Sequence, residues 1–359
     1  MLHAGSLMDE HIRAGGTGIS TNKRRNYGMG RKSRIKQSLV LDSRKESDEI
    51  ATGMTRLLAG MKRRGIVVGI SGGIDSSVTL ALAVRALGKD RVFALQMPER
   101  HSAEDTLDLS ALVADAFGVE RKHENISAIL ESVGFYGRYD ETVRTVIAEY
   151  GDGWKSKIVI PNVAESQGLT FFSIVAQAPS GETVKKRLPL KAYLGIVAAT
   201  NFKQRIRKML EYYHADRLNF AVAGTPNRLE YDQGFFVKLG DGAADIKPIA
   251  HLYKTQVYQL AEFLGVPEEI RKRPPTTDTY SLEQGQDEFY FSLPYDKMDI
   301  CLYGKNNGIP AAQVAEEVDL TEQQVLRVYR DIDHKRSTTR YLHLPPQLVR
   351  DVMEVRPHD

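Results

Sequence analysis

The stretch 65-GIVVGISGGIDSSVTLALAVRALG-88 decides how this chain is read. Ile66 to Ile70 is a short apolar run that reads as a buried strand, and Ser76 to Leu87 carries a helical pattern stopped by Gly88. Between them lies Ser71-Gly72-Gly73-Ile74-Asp75-Ser76. Two successive glycines let the backbone turn tightly and aim peptide N–H groups at an anion, and the following helix adds its positive end. Ser71, Ser76 and Ser77 offer hydroxyl donors. The loop has no lysine, so the expected guest is a pyrophosphate, free or leaving, held by backbone and hydroxyls. Asp75 would repel it unless a cation lies between them. Magnesium, which usually takes one or two carboxylates along with phosphate oxygens, resolves that conflict. The other reading of Asp75 is a plain helix cap.

Working outward, strand and helix signals alternate. Val92 to Met97 reads as a second strand, Ala103 to Phe117 as a helix ended by Gly118, and Lys122 to Ile126 as a further strand. Asn201 to Ala215 is a long basic helix and Asn219 to Ala223 another strand. This alternation predicts an α/β fold: a doubly wound parallel sheet with helices on both faces. Ligands in such folds bind beyond the carboxyl ends of the strands, where Ser71-Gly72-Gly73 and Gly224-Thr225 both fall. Residues 150–190 break the pattern with two alternating apolar stretches, read as a hairpin-like insertion. After residue 300 two short helices follow, and Thr321 with Gln324 has capping-box spacing.

The 359 residues are 42% hydrophobic and 26% charged, ordinary for a globular protein. No apolar run approaches the ~20 residues that span a bilayer, so no membrane partner is expected. A net charge of +3 does not by itself argue for nucleic acid, which is not an expected partner. The single cysteine, Cys301, excludes an internal disulfide and a cysteine-rich metal site, which fits a reducing cytoplasm. Residues 1–45 are rich in Gly, Ser, Lys and Arg and are expected to form a disordered basic arm, either a solvated tail or a contact for an anionic partner. The arm has no apolar core of the kind a signal peptide needs. The main domain is expected over 46–340 and a C-terminal tail over 341–359.

Ser-Gly-Gly-x-Asp-Ser resembles the pyrophosphate loop of the N-type ATP pyrophosphatases, a superfamily that includes NAD synthases, the synthetase domain of GMP synthase, asparagine synthetases and several tRNA-modifying enzymes. The stretch from Asn201 to Ile270, with Asn-x-x-x-Arg-x-Arg, GTPNRLE, GFFVKLGDG, DIKP and LYKTQV, resembles the core signature of NAD synthases, adenine nucleotide alpha hydrolase-like proteins. RPPTTD, QDEFYFSLPYDKMD and HKR continue the likeness, which covers roughly residues 45 to 340.

The resemblance implies roles. Gly69, Ile70, Ser71, Gly72, Gly73, Ile74, Asp75 and Ser76 would line the ATP phosphates, with Thr225, Lys254 and Thr276 also contacting ATP. Asp75 and Glu230 would hold Mg2+. Arg205, Lys238 and Asp245 would bind deamido-NAD, and His334 with Lys335 would close over it. Taken singly, Arg205 fits a solvated basic face, Asp245 a cap for the turn before Pro248, and His334 a surface histidine.

Two departures stand out. Arg228-Leu229 replaces the usual lysine and hydroxyl residue, and Ala243 follows Gly240-Asp241-Gly242 where glycine is usual. With the insertion, they predict an altered substrate side. The chain lacks a nitrilase-like domain, so the nitrogen donor is expected to be free ammonia or ammonia from a separate glutaminase subunit. Cys301 reads as a small buried apolar side chain. The resemblance thus implies a cytoplasmic, homodimeric, ATP- and Mg2+-dependent ligase that converts deamido-NAD to NAD through an acyl-adenylate. The alternatives are a paralogue acting on another carboxylic acid, or a tRNA-modifying relative using the basic arm. The absence of a zinc-ligand cluster and a cysteine pair opposes the latter.

Overall fold

The computed structural model describes residues 34–103, 105–160, 171–277, 279–282, 284–285, 290–291 and 293–352. The expected arm over 1–33 lies outside them. Residues 34–45, expected to belong to that arm, are instead folded: α1 (Arg34–Ser38) precedes α2 (Ser43–Gly60). The cause is an apolar pair four residues apart, Ile35 and Leu39, buried against the C-terminal helices. The Glu317 carboxylate accepts from the N–H groups of Ile35 and Lys36, both at 3.1 Å.

The central elements are β1 (Ile66–Gly69), α3 (Ile74–Leu87), β2 (Val92–Gln96), α4 (Thr106–Ala116) and β3 (Glu120–His123). After α5 (Ser127–Ser132) and α6 (Phe135–Arg144) come the inserted strands β4 (Lys155–Val159), β5 (Ser173–Gln177) and β6 (Thr183–Arg187). Helix α7 (Leu190–Leu218), β7 (Ala221–Ala223), α8 (Arg228–Gln233), α9 (Lys254–Phe263) and α10 (Glu268–Lys272) follow. Last are the short β8 (Thr276–Thr277) and β9 (Gln284–Gly285), then α11 (Tyr295–Asn306), α12 (Ala311–Val318) and α13 (Glu322–Thr339).

The main sheet is parallel, in the order β3-β2-β1-β7. Its three strands β2, β1 and β7 are apolar on both sides because both sides are covered, whereas the edge strand β3 is exposed. Ile66 and Val68 face a core shared with α2, α3 and α9, whereas Val67 and Val222 face a second core shared with α6 and α7. The predicted doubly wound sheet is therefore the observed one. Chain order reverses between β1 and β7, so the loops leaving these two strands open into one crevice.

The insertion is a three-stranded antiparallel sheet, β4-β5-β6; the two alternating apolar stretches are β4 and β5, and the polar β6 adds a third strand. The basic helix starts at Leu190, not Asn201, and absorbs the end of the expected insertion. The predicted capping box of Thr321 and Gln324 is present at the start of α13. The tail does not start cleanly at 341: Arg340–His343 forms one more helical turn, and the His343 ring meets Tyr231 and Phe236 edge-on.

Candidate active site

Serines shape the loop after β1. Gly73 begins α3 in extended conformation, and the hydroxyls of Ser76 and Ser77 donate to its carbonyl at 3.0 and 2.8 Å. The N–H of Ser71 donates to Ser76 Oγ, and the N–H of Gly73 to Ser71 Oγ, both at 3.3 Å. Gly72 has φ of +71°, and a Cβ there would stand 2.7 Å from Leu109 Cβ, so the position needs glycine. The result is a cradle at the positive end of a 14-residue helix. Ser71, Gly73, Ile74, Asp75 and Ser76 line the cavity before it, while Gly69, Ile70 and Gly72 form the turn behind. Ser77 is buried, and its hydroxyl braces the loop instead of facing a ligand.

Asp75 is not the helix cap; Gly73 holds that position. The Asp75 carboxylate receives the ammonium of Lys254 in a short ion pair and Asn227 Nδ2 at 3.1 Å. Asn227 in turn caps α8, accepting from the N–H groups of Leu229 and Glu230, while Glu230 Oε2 accepts from the N–H of Asn227 at 3.0 Å. This capping box turns Glu230 towards Asp75. Burial and the negative charge of Asp75 push the Glu230 carboxyl up to about 8, with Lys254 opposing them. Burial works against the Lys254 charge, but Asp75 and Glu230 outweigh it and hold its pKa above the ordinary lysine value. Two carboxylates thus share one ammonium. The first turn of α9, which carries Lys254, is itself fixed by Asp299 of α11. Its buried carboxylate accepts from the N–H groups of Lys254 and Thr255 at 3.2 and 2.7 Å. Burial pushes that carboxyl up to about 7.

The cavity runs on, over about 2030 Å³, from this loop past Thr225 and Thr276 to α7. Ligand pockets usually measure about 300–1,000 Å³, so there is room for two nucleotides. On the α7 side Arg205 donates from Nε to the carbonyl of Lys238 at 3.3 Å. Lys238 Nζ donates to the carbonyls of Tyr341 and Leu344 at 2.7 and 3.0 Å. Lys335 Nζ donates to the Tyr290 carbonyl at 2.6 Å and pairs with Asp331 at 2.7 Å, and the neighbouring His334 opens to the cavity. Beneath them Lys203 pairs with Glu99 at 2.7 Å, and Tyr136 Oη donates to the other Glu99 oxygen at 3.0 Å.

Asp245 stands apart. It lies outside the cavity wall and accepts from the N–H of Val222 at 2.7 Å and from Tyr212 Oη at 3.3 Å. These contacts fasten the edge of β7 and set Asp245 apart from the other residues expected to hold substrate. The reading of the two departures is corrected. Leu229 is buried in the C-terminal core, and Arg228 pairs with Asp232 at 3.4 Å. Neither they nor Ala243 line the cavity. Cys301 is fully buried, and burial pushes its thiol up to about 12, as expected of an apolar side chain.

The sequence profile of the NAD synthase family matches residues 47–149 and 174–339. The chain belongs to the NAD synthase family. It is 60% identical over 318 residues to the NH(3)-dependent NAD(+) synthetase of Rhizobium meliloti (strain 1021), covering 89% of this chain and 95% of that one. The corresponding protein of Mesorhizobium japonicum is 58% identical over 317 residues, covering 88% and 99%. Among solved structures, the NMN synthetase of Francisella tularensis superposes with a TM-score of 0.59 at 21% identity, over 86% of this chain and all of that one. The NH3-dependent NAD synthetase of Campylobacter jejuni gives 0.55 at 21%, over 87% and 100%. At such identity these two share the fold, that of the adenine nucleotide alpha hydrolase-like proteins. The family profile passes over 150–173, the part of the insertion that holds β4.

Asn227, Glu99, Lys203 and Asp299 are the site residues that sequence reasoning missed. Asn227 had a signal, the Asn-x-x-Glu spacing of a capping box; the other three are joined to the site only by the fold.

Proposed function

We propose that this protein makes NAD by ATP-dependent amidation of deamido-NAD, with ammonia as nitrogen donor and AMP and pyrophosphate as products. The observation that carries the reading is one continuous cavity. It joins a pyrophosphate-shaped helix cradle, with Asp75, Glu230 and Lys254 at its lip, to the cations Arg205, Lys238 and His334–Lys335. A carboxylate oxygen of the nicotinate ring attacks the α-phosphorus of ATP, and the bond to pyrophosphate breaks. Ammonia then attacks the acyl carbon of the adenylate, AMP leaves with the bonding electrons, and the surplus proton passes to water.

The chain's own residues position and neutralise. The N–H groups of the Ser71–Ser76 loop receive the departing pyrophosphate, and Lys254 offsets charge as it builds there. Arg205 and Lys238 suit the dinucleotide's own pyrophosphate. No side-chain nucleophile is required, which agrees with a buried, unreactive Cys301.

Asp75 and Glu230 suit Mg2+. Both offer hard oxygen donors, and two carboxyl groups crowded into one buried place, where burial and Asp75 raise the Glu230 pKa, favour a divalent cation. Among the described residues no cluster of three acidic, histidine or cysteine side chains is arranged to hold a metal, so phosphate oxygens would complete the shell. Such an ion would screen the phosphate charge.

We also propose a homodimer. Along α7, Leu194, Met209 and Tyr213 are apolar and exposed, each more than half accessible. No helix among the described residues is long and apolar enough to cross a membrane, and we place the reaction in the cytoplasm. Ammonia arrives free or from a separate glutaminase subunit.

The test is pyrophosphate release with ATP, Mg2+, ammonium and deamido-NAD, with the product weighed by mass spectrometry. NAD and pyrophosphate should appear together and vanish in Asp75→Ala and Glu230→Ala. Pyrophosphate without NAD would overturn the substrate assignment.

A further inference from the structure

We infer that the inserted strand β4 is a positioning element for the acid-substrate side of the cavity, acting through Gln284 and Ser281; this rests on the function proposed above. Strand β4 lies in the segment that the family profile passes over. One of its edges pairs with β5. Its other side carries the chain that follows β8. There the N–H of Ser156 donates to Ser281 Oγ at 2.9 Å, and the N–H of Leu282 donates to the Ser156 carbonyl at 3.2 Å. Gln284 Nε2 donates to the Ile158 carbonyl at 2.6 Å.

Gln284 is the hinge of this arrangement. Its side chain is buried, and its backbone belongs to β9, where it pairs with Thr277 of β8. One side chain therefore roots the two-stranded ribbon that bears Thr276 on the insertion. The root is stiff: Ser156 is fully buried, with Oγ bonded to Tyr139 Oη at 2.8 Å and to Tyr150 Oη at 3.2 Å.

What the ribbon presents to the cavity is Thr279, Tyr280 and Ser281. Lys203 Nζ donates to the Thr279 carbonyl at 3.3 Å, so this segment abuts α7 two residues from Arg205. The insertion adds Lys155 and Phe172 to the same wall. A chain segment ordered before the substrate arrives does not have to be ordered by it, and that difference enters directly into affinity. The insertion is then part of the binding site and not an appendage to it.

The experiment uses the full chain with Gln284→Met, which keeps the volume and removes the bond to Ile158, and Ser281→Ala as a second variant. In ligand-free protein, amide hydrogens of residues 276–285 should exchange faster in Gln284→Met, with β5 and β6 unchanged. KM for deamido-NAD should rise about tenfold, the factor for a binding difference of about 1.4 kcal/mol, with kcat and KM for ammonia retained. Ser281→Ala should move both readouts the same way. Unchanged exchange, or kcat falling at constant KM as partial unfolding would produce, overturns the inference. If wild-type protein makes no NAD, the proposed function fails on its own, and the exchange measurement still decides whether β4 orders the ribbon.

Discussion

Glu99→Gln removes the counter-charge of Lys203 and leaves nearly every contact of the cavity floor in place. Glu99 and Lys203 have side chains 0% and 2% accessible, with nitrogen and oxygen 2.7 Å apart. A glutamine oxygen can still accept from Tyr136 Oη, so what disappears is the negative charge. An ammonium stranded at this depth costs about 3–5 kcal/mol, against a total stability of about 5–15 kcal/mol for a typical domain. Lys203→Met alone strands the carboxylate and should cost as much. The double variant leaves no buried charge and should lie within about 1 kcal/mol of the parent. Urea unfolding of all four proteins at pH 7 closes the cycle. Acid gives an independent arm. Burial pushes the Glu99 carboxyl up, but Lys203 and His101 outweigh it and hold it below the ordinary value. Its stabilising share is therefore complete above the unfolded-state pKa and is lost as pH falls through the lower folded one. The gap between parent and Glu99→Gln should be widest near neutrality and close as the pH falls below the ordinary carboxylate range. Refutation is simple: Glu99→Gln unfolding like the parent, or the double variant being as unstable as the worse single one.

Three further outcomes are expected. Lys254→Met should lower kcat for pyrophosphate release about a hundredfold, as loss of one preorganised charge does elsewhere, measured in steady state at saturating ATP. Asp299→Asn turns one accepting oxygen into a donor facing the N–H groups of Lys254 or Thr255. It should cost about 1–3 kcal/mol in thermal unfolding and raise KM for ATP, because α9 carries Lys254. Cys301→Ala should retain full activity despite a small loss of stability; an inactive but folded variant would mean that a thiol takes part after all.

The parts of this fold legible in the sequence are those fixed within a few residues. The apolar run before Ser71, the paired glycines and the start of α3 form one local unit, so loop and crevice were readable together. Strand β3 was displaced, expected over Lys122–Ile126 and found over Glu120–His123, because an exposed edge strand reading ERKH has no apolar alternation to mark its bounds. The start of α7 escapes the reading because its basic residues mark only the half from Asn201 onward, and Leu190 to Thr200 is largely apolar. Helix α11 is buried around much of its girth and offers no amphipathic stripe. In the site, Glu230 and Lys254 were legible through motif spacing. The Glu99–Lys203 pair spans 104 positions and exists only once β2 and α7 are packed together. The motif that carries Asp245 says nothing about its bonds to Val222 and Tyr212, which exist only once the chain after β7 folds back on that strand.

The two ends of the cavity solve charge in different ways, and the difference follows from what each must hold. At the α7 end Lys238 is fixed by two carbonyls and Arg205 by one, while Lys335 is already paired with Asp331. A carbonyl dipole orients a cation without cancelling it. Long side chains that lose roughly 1.5–2 kcal/mol of rotamer freedom on ordering lose it during folding, and their field stays available to a dinucleotide phosphate. At the ATP end Lys254 is committed to Asp75, and Glu230 crowds the same ammonium. That triad is not a ready-made anion site. It becomes one only when further positive charge joins the two carboxylates, freeing the ammonium to meet phosphate. Binding of the dinucleotide should therefore be governed by the protein's own cations, and binding of ATP by the cation that arrives with it.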